Sequence, residues 1–121
     1  MMTKKEIAKA FLALAGSGDV KQAFDQFTSN NFIHHNQFFK GTRAALIKAM
    51  EDAHRDEPNK AVEVKFCYAE ENTVITHSLV SKKKMEIAVI HVFRFEGDKI
   101  VELWDLGQPI EKDSPNENGL F

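Results

Sequence analysis

The sequence predicts an α+β fold, a cone-shaped half-barrel with three N-terminal helices packed on a curved, mainly antiparallel sheet. Up to Pro58 the apolar residues recur at helical spacing behind three separate helix-start signals. After Pro58 the period switches to 2 and stays there through the last apolar run, as strands require.

Thr3-Lys4-Lys5-Glu6 has the capping-box spacing, so the first helix starts there, carries Ile7, Ala10, Phe11 and Leu14 on one face, and stops at Gly16-Ser17-Gly18. Asp19 and Gln22 repeat the start signal for a short second helix bearing Val20, Ala23, Phe24 and Phe27, expected to stop near Asn30-Asn31. A brief extended stretch from Phe32 to Asn36 leads to Thr42, the cap of a third helix with Ala45, Leu46, Ala49, Met50 and Ala53 inward. Val62, Val64, Phe66 and Tyr68 then alternate with charged or small residues in a first strand. Glu70-Glu71-Asn72 turns into the run Thr73 to Ser81, Lys82-Lys83-Lys84 into Met85 to Glu96, and Gly97-Asp98 into Ile100 to Gly107, giving a four-strand meander. From Pro109 the chain is rich in Pro, Asn, Asp and Glu and is expected to run over the surface, with Leu120-Phe121 able to dock on the body or on a partner.

A chain of 121 residues, 43% hydrophobic and 28% charged, fits a single domain spanning 1–121. Sixteen Lys and Arg against eighteen Asp and Glu, with no basic block longer than Lys82-Lys83-Lys84, argue against a nucleic-acid surface. No apolar run approaches the roughly 18 residues that span a bilayer, and the N-terminus lacks the apolar core of a signal peptide, so no membrane association and a cytoplasmic location are expected. Cys67 is the only cysteine and is read as packing, which leaves no disulfide, redox pair or cysteine-cluster metal site. Ten Phe beside one Trp and one Tyr suit a greasy interior or an apolar pocket.

Two polar residues interrupt apolar rows. His91 shares a strand face with Met85, Ile87, Val89, Phe93 and Phe95; Asp105 shares one with Val101, Leu103 and Gly107, opposite Ile100, Glu102, Trp104 and Leu106. A hairpin turning at Gly97-Asp98 brings His91 and Asp105 within a residue or two of each other. Burying either without a partner costs a few kcal/mol, so the pair is either a structural hydrogen bond or lines a ligand pocket, where desolvation raises the carboxyl pKa toward the range of acid-base chemistry. His34 and His35 are adjacent on an extended segment and cannot both face one pocket; His35 or Asn36 reaches inward and the other histidine lies at the surface. His77 takes an ambiguous face, and His54 serves the C-terminal dipole of the third helix. His35, His77, His91 and Asp105 lack metal-ligand spacing, and no metal is expected.

Phe32-Ile33-His34-His35-Asn36, Val74-Ile75-Thr76-His77-Ser78, Gly97-Asp98-Lys99-Ile100-Val101-Glu102-Leu103-Trp104-Asp105, Gln108-Pro109 and Asn118-Gly119-Leu120-Phe121, in this order, resemble the SnoaL-like polyketide cyclases of the nuclear-transport-factor-2-like superfamily, in the branch of predicted aldol-condensation enzymes. The resemblance covers nearly the whole chain and implies a conical α+β barrel, frequent homodimerisation through the outer sheet face, and acid-base chemistry with no metal or organic cofactor. It also marks two departures: His91 stands where the family typically has Asp, and Gln37 follows His35-Asn36 where Pro is typical.

Two functions are expected. One is a cofactor-independent enzyme working α to a carbonyl by aldol-type cyclisation or isomerisation, with Asp105 shuttling the proton, His91 and Asn36 donating to the enolate oxygen, His35 as alternative base, and Trp104, His77, Phe93 and Leu103 shaping the pocket for a small apolar or aromatic carbonyl compound. The other is a non-catalytic, dimeric small-molecule-binding module. Homodimerisation is expected through Ala88, Ile90, Val92, Trp104 and Leu106 on the outer face.

Overall fold

The computed structural model describes residues 1–121, ordered as helices α1 (Lys4–Gly16) and α2 (Val20–Phe27), strand β1 (Thr28–His35), helix α3 (Arg43–Asp56) and strands β2 (Asn59–Glu70), β3 (Thr73–Lys82), β4 (Glu86–Glu96) and β5 (Lys99–Pro109). The α+β class and the curved, mostly antiparallel sheet agree with the sequence reading. No helix is long and apolar enough to cross a membrane.

Capping sets the helix starts. Thr3 accepts from the Glu6 N–H at 3.1 Å while Glu6 reaches back to the Thr3 N–H at 2.8 Å, and Thr42 accepts from the Ala45 N–H at 3.2 Å. Asp19 occupies the α2 N-cap without a side-chain hydrogen bond. The α1 face that buries deepest is Ile7, Ala8, Phe11, Leu12 and Ala15, rotated from the expected stripe because the helix packs on both α2 and the sheet; Ala10 and Leu14 are only partly covered.

The sheet has five strands, in the order β1-β5-β4-β3-β2, where the sequence indicated four. The extra strand is the stretch after α2, which ends at Phe27 and not at Asn30-Asn31. Thr28 turns extended there, donating its hydroxyl to Phe24 O at 2.7 Å, and β1 then adds to β5 in parallel with His34 opposite Leu103 and His35 opposite Trp104. Its polar composition, Thr-Ser-Asn-Asn, conceals it from a search for apolar alternation.

Bulges in β2 and β5 reset which residues face the core. Lys65 is an extra residue in β2, so Val62 and Val64 turn inward, Cys67 packs against the core, and Phe66 and Tyr68, expected on the same face as the valines, are exposed. Val101 is extra in β5, which lets Ile100 join the core opposite Phe95 while Leu103, Asp105 and Gly107 keep the inner face. Gly97, at φ +59°, makes the intervening turn.

The core is aromatic at its centre. Phe11 meets Phe24 edge-on at 5.2 Å and Phe93 at 6.1 Å, and Phe24 meets Phe32 at 5.4 Å. Phe24→Ala is expected to cost about 3–5 kcal/mol, and Thr3→Ala about 0.5–2 kcal/mol, in urea unfolding.

Candidate active site

The concave face of the sheet, α1, α3 and the Asn36–Gly41 turn line a cavity of about 1050 Å³. Long strands run past the end of the Phe cluster, and the inward residues of their free portions become its wall: Ile87, Val89 and His91 from β4, Leu103 and Asp105 from β5.

His91 and Asp105 are direct partners in the β4–β5 register, both inward, with His91 Nε2 3.4 Å from Asp105 Oδ1. That is a long contact, within ion-pair range but not a tight hydrogen bond. The other carboxylate oxygen is held closely: Asn36 Nδ2 donates to Oδ2 at 2.9 Å, while Asn36 Oδ1 accepts from the Phe38 N–H at 2.9 Å. Asn36 is thus pinned at both ends of its amide.

Burial pushes the Asp105 carboxyl upward, but the His91 contact and charge, the Asn36 hydrogen bond and nearby His34 outweigh it, and the group sits below the ordinary aspartate value. This corrects the expectation that desolvation would raise it. At neutral pH Asp105 is an ionised carboxylate, able to take a proton and not to give one.

Strand parity places the other candidates. His34 and Asn36 share the inner face. His34 is 4% exposed and donates Nε2–H to Lys40 O at 2.7 Å, closing the turn that carries Asn36. His35 borders the cavity, but its ring turns outward, where it stacks on Trp104 at 4.7 Å and donates to Glu102 Oε2 at 2.7 Å. The inward histidine of this pair is therefore His34, reversing the sequence assignment. Glu102 also accepts from Arg94 Nε at 2.8 Å, and its carboxyl is held below the ordinary value by His35 and then Arg94.

Trp104 stands on that outer side too, away from the cavity wall. His77 lies on the outer face against Phe66 and stacks on Phe121 at 4.7 Å, so the C-terminal end docks on the body. Phe93 is fully buried in the core beneath the cavity, and of the expected pocket formers Leu103 lines it. The four side chains weighed as metal ligands are divided between the faces, His35 and His77 outside, His91 and Asp105 inside. Sequence reasoning missed His34, His54, Asn59 and Lys82 in the cavity wall. The two-residue spacing of His34 and Asn36 was the available signal for the first.

Residues 8–103 match the family model described as SnoaL-like domain. Among solved structures the chain is similar to a SnoaL-like polyketide cyclase from Agrobacterium tumefaciens, at 15% identity and a TM-score of 0.72 over 89% of this chain and 93% of that one. It is similar to AclR, a putative hydroxylase from Streptomyces galilaeus, at 21% identity and a TM-score of 0.72 over 87% and 88%. An NTF-2-like protein of unknown function from Burkholderia xenovorans aligns at 16% identity and a TM-score of 0.74 over 93% and 88%. At these identities the likeness is one of fold. Among curated proteins none matches.

Because its folded pKa is depressed, Asp105 contributes stability in full above the ordinary aspartate range near about pH 4 and loses it as pH falls through the lower folded value. Asp105→Asn is accordingly expected to cost about 1–2 kcal/mol at pH 7, with the difference from wild type shrinking below about pH 4 in denaturant titrations across pH.

Proposed function

Since the chain belongs to the SnoaL-like domain family, we propose that it carries out acid-base chemistry α to a carbonyl, an aldol-type cyclisation or an isomerisation, on an apolar or aromatic ketone held in the cavity. The observation that supports this most is the ionised Asp105 carboxylate, set into an apolar wall between the Asn36 amide and the His91 imidazole.

Asp105 takes the α-proton, and the C–H electron pair passes into the enolate. His91 Nε2–H, only loosely engaged at 3.4 Å, swings to the enolate oxygen, and an Asn36 amide hydrogen supports it. The proton on Asp105 then returns either to another carbon, completing an isomerisation, or to the alkoxide formed when the enolate carbon adds to a second carbonyl of the same molecule, completing a cyclisation. Leu103, Val89 and Ile87 keep water from the enolate. His35 has no part in this scheme, its ring being engaged by Glu102 and Trp104. The scheme calls on no cofactor.

One observation favours a second reading, a non-catalytic binding module: the contacts that keep Asp105 ionised also make it a weaker base. Exchange of the α-protons of 4-acetylbiphenyl with deuterated water, followed by NMR, separates the two. Catalysed exchange that falls by a factor of about 100 or more in Asp105→Asn is the expected result, and saturable binding without exchange would establish the binding module.

We also propose a homodimer through the outer sheet face, which presents Ile75, Tyr68 and Leu106 exposed beside half-buried Ile90, Val92 and Trp104. Ala88, expected in this patch, is only 8% exposed and adds little to it. Light scattering at about micromolar concentration is expected to give twice the chain mass; the mass of one chain would sink the dimer.

A further inference from the structure

The cavity has a second polar end, remote in sequence from Asp105. His54, in the last turn of α3, and Asn59, the first residue of β2, both line it. Asn59 donates Nδ2–H to Gly16 O at 3.1 Å. A backbone carbonyl can only accept, so this bond orients the amide and leaves Oδ1 as the acceptor, buried and without a donor.

His54 packs its ring against the turn between α1 and α2. Gly18 has φ +100°, and a methyl group there would come within 2.5 Å of His54 Nε2, so the glycine makes the room that the imidazole occupies. The Nδ1 of the same ring is buried and unpartnered. A histidine serving only the helix C-terminus has no need of this inward seat. The two side chains that carry these unpaired atoms thus both contact one glycine turn, His54 at Gly18 and Asn59 at Gly16, and line the cavity together with Leu12, Ala15, Val62, Val80 and Lys82.

We propose that His54 and Asn59 form a distal subsite for a hydroxyl group of the ligand. Asn59 Oδ1 accepts the hydroxyl hydrogen, and His54 Nδ1–H donates to the hydroxyl oxygen, so one small group satisfies both orphaned atoms. An apolar terminus satisfies neither. A carboxylate meets the bare Asn59 oxygen, although Lys82, which lines the same end and donates to Glu57 O at 2.7 Å, supplies positive charge nearby. Apolar Phe11, Leu46 and Met50 line the same cavity. The ligand is then an elongated apolar carbonyl compound with a hydroxyl at the end far from its carbonyl. Only the position of the carbonyl rests on the proposed function.

The test uses ketones of two lengths, 4-acetylbiphenyl and trans-4-acetylstilbene, each carrying a hydroxyl, a hydrogen or a carboxylate at the 4′ position, with affinities measured by fluorescence titration. The wild type is expected to bind the hydroxyl compound of at least one length about five- to ten-fold more tightly than its unsubstituted and carboxylate analogues. His54→Phe keeps a ring against Gly18; it is expected to bring the hydroxyl compound within about two-fold of the unsubstituted one, whose own affinity stays unchanged. Equal binding of hydroxyl and hydrogen compounds by the wild type, tightest binding of a carboxylate, survival of the preference in His54→Phe, or no binding of any compound at about 1 mM each overturns the subsite. The wild-type comparison decides even if the variant does not fold. Deuterium exchange in the same samples reads the Asp105 chemistry separately, so a hydroxyl preference without exchange upholds the subsite and refutes the proposed reaction.

Discussion

Phe11 is the wedge on which the architecture turns. Its ring lies edge-on to Phe24 and to Phe93, so it ties α1 to α2 and both helices to the centre of the sheet. Phe24 extends the cluster to Phe32 on β1, and Arg43 lies over the Phe24 ring at 5.7 Å, which draws the start of α3 to the same point. The aromatic cluster fills only part of the concave face. The strands of 10 to 12 residues run on beyond it, and their curvature with α3 closes over a space that no side chain of the chain fills. Core and cavity are thus two portions of one surface.

Register then decides what that surface presents. The pairing of His91 with Asp105 gives two polar residues one position on one face, and the parallel addition of β1 to β5 delivers Asn36 to the same carboxylate from the opposite end of the chain sequence. In such an environment a lone carboxylate would be driven toward its neutral form; here three neighbouring groups reverse the sign. The consequence is chemical. A site built this way starts with a base in place and with polar N–H groups beside it.

Parity also sorts the histidines between two environments. His34, His54 and His91 line the interior, each with one buried nitrogen unpartnered, whereas His35 and His77 lie outside as flat rings stacked on Trp104 and Phe121. On the outer face His35 and Arg94 converge on Glu102 in a polar cluster. The inner face offers open hydrogen-bonding capacity, and the outer face offers shape.

Local signals determined much of this without tertiary information. The capping box at Thr3, the Thr42 cap, the change of period after Pro58 and the Gly97-Asp98 turn are short-range effects, and each reappears in the structure. The opposition of His91 and Asp105 was legible for the same reason, because a hairpin turn of known position sets the register of its own two strands. Three things were decided only by packing. The strand β1 is polar in sequence and exists because β5 offers it an edge. The bulges at Lys65 and Val101 each insert one residue and so exchange the faces of the neighbouring strand positions, exposing Phe66 and Tyr68 and burying Ile100, which no count of period 2 can foresee. The inward turn of His34, and the seat of His54 against Gly18, depend on contacts between segments far apart in the chain. Sequence alone thus determined the elements and the central polar pair, since both arise from nearest-neighbour geometry; tertiary structure decided which of the remaining polar side chains face that pair, since a shift of a single residue in register exchanges the two faces of a sheet.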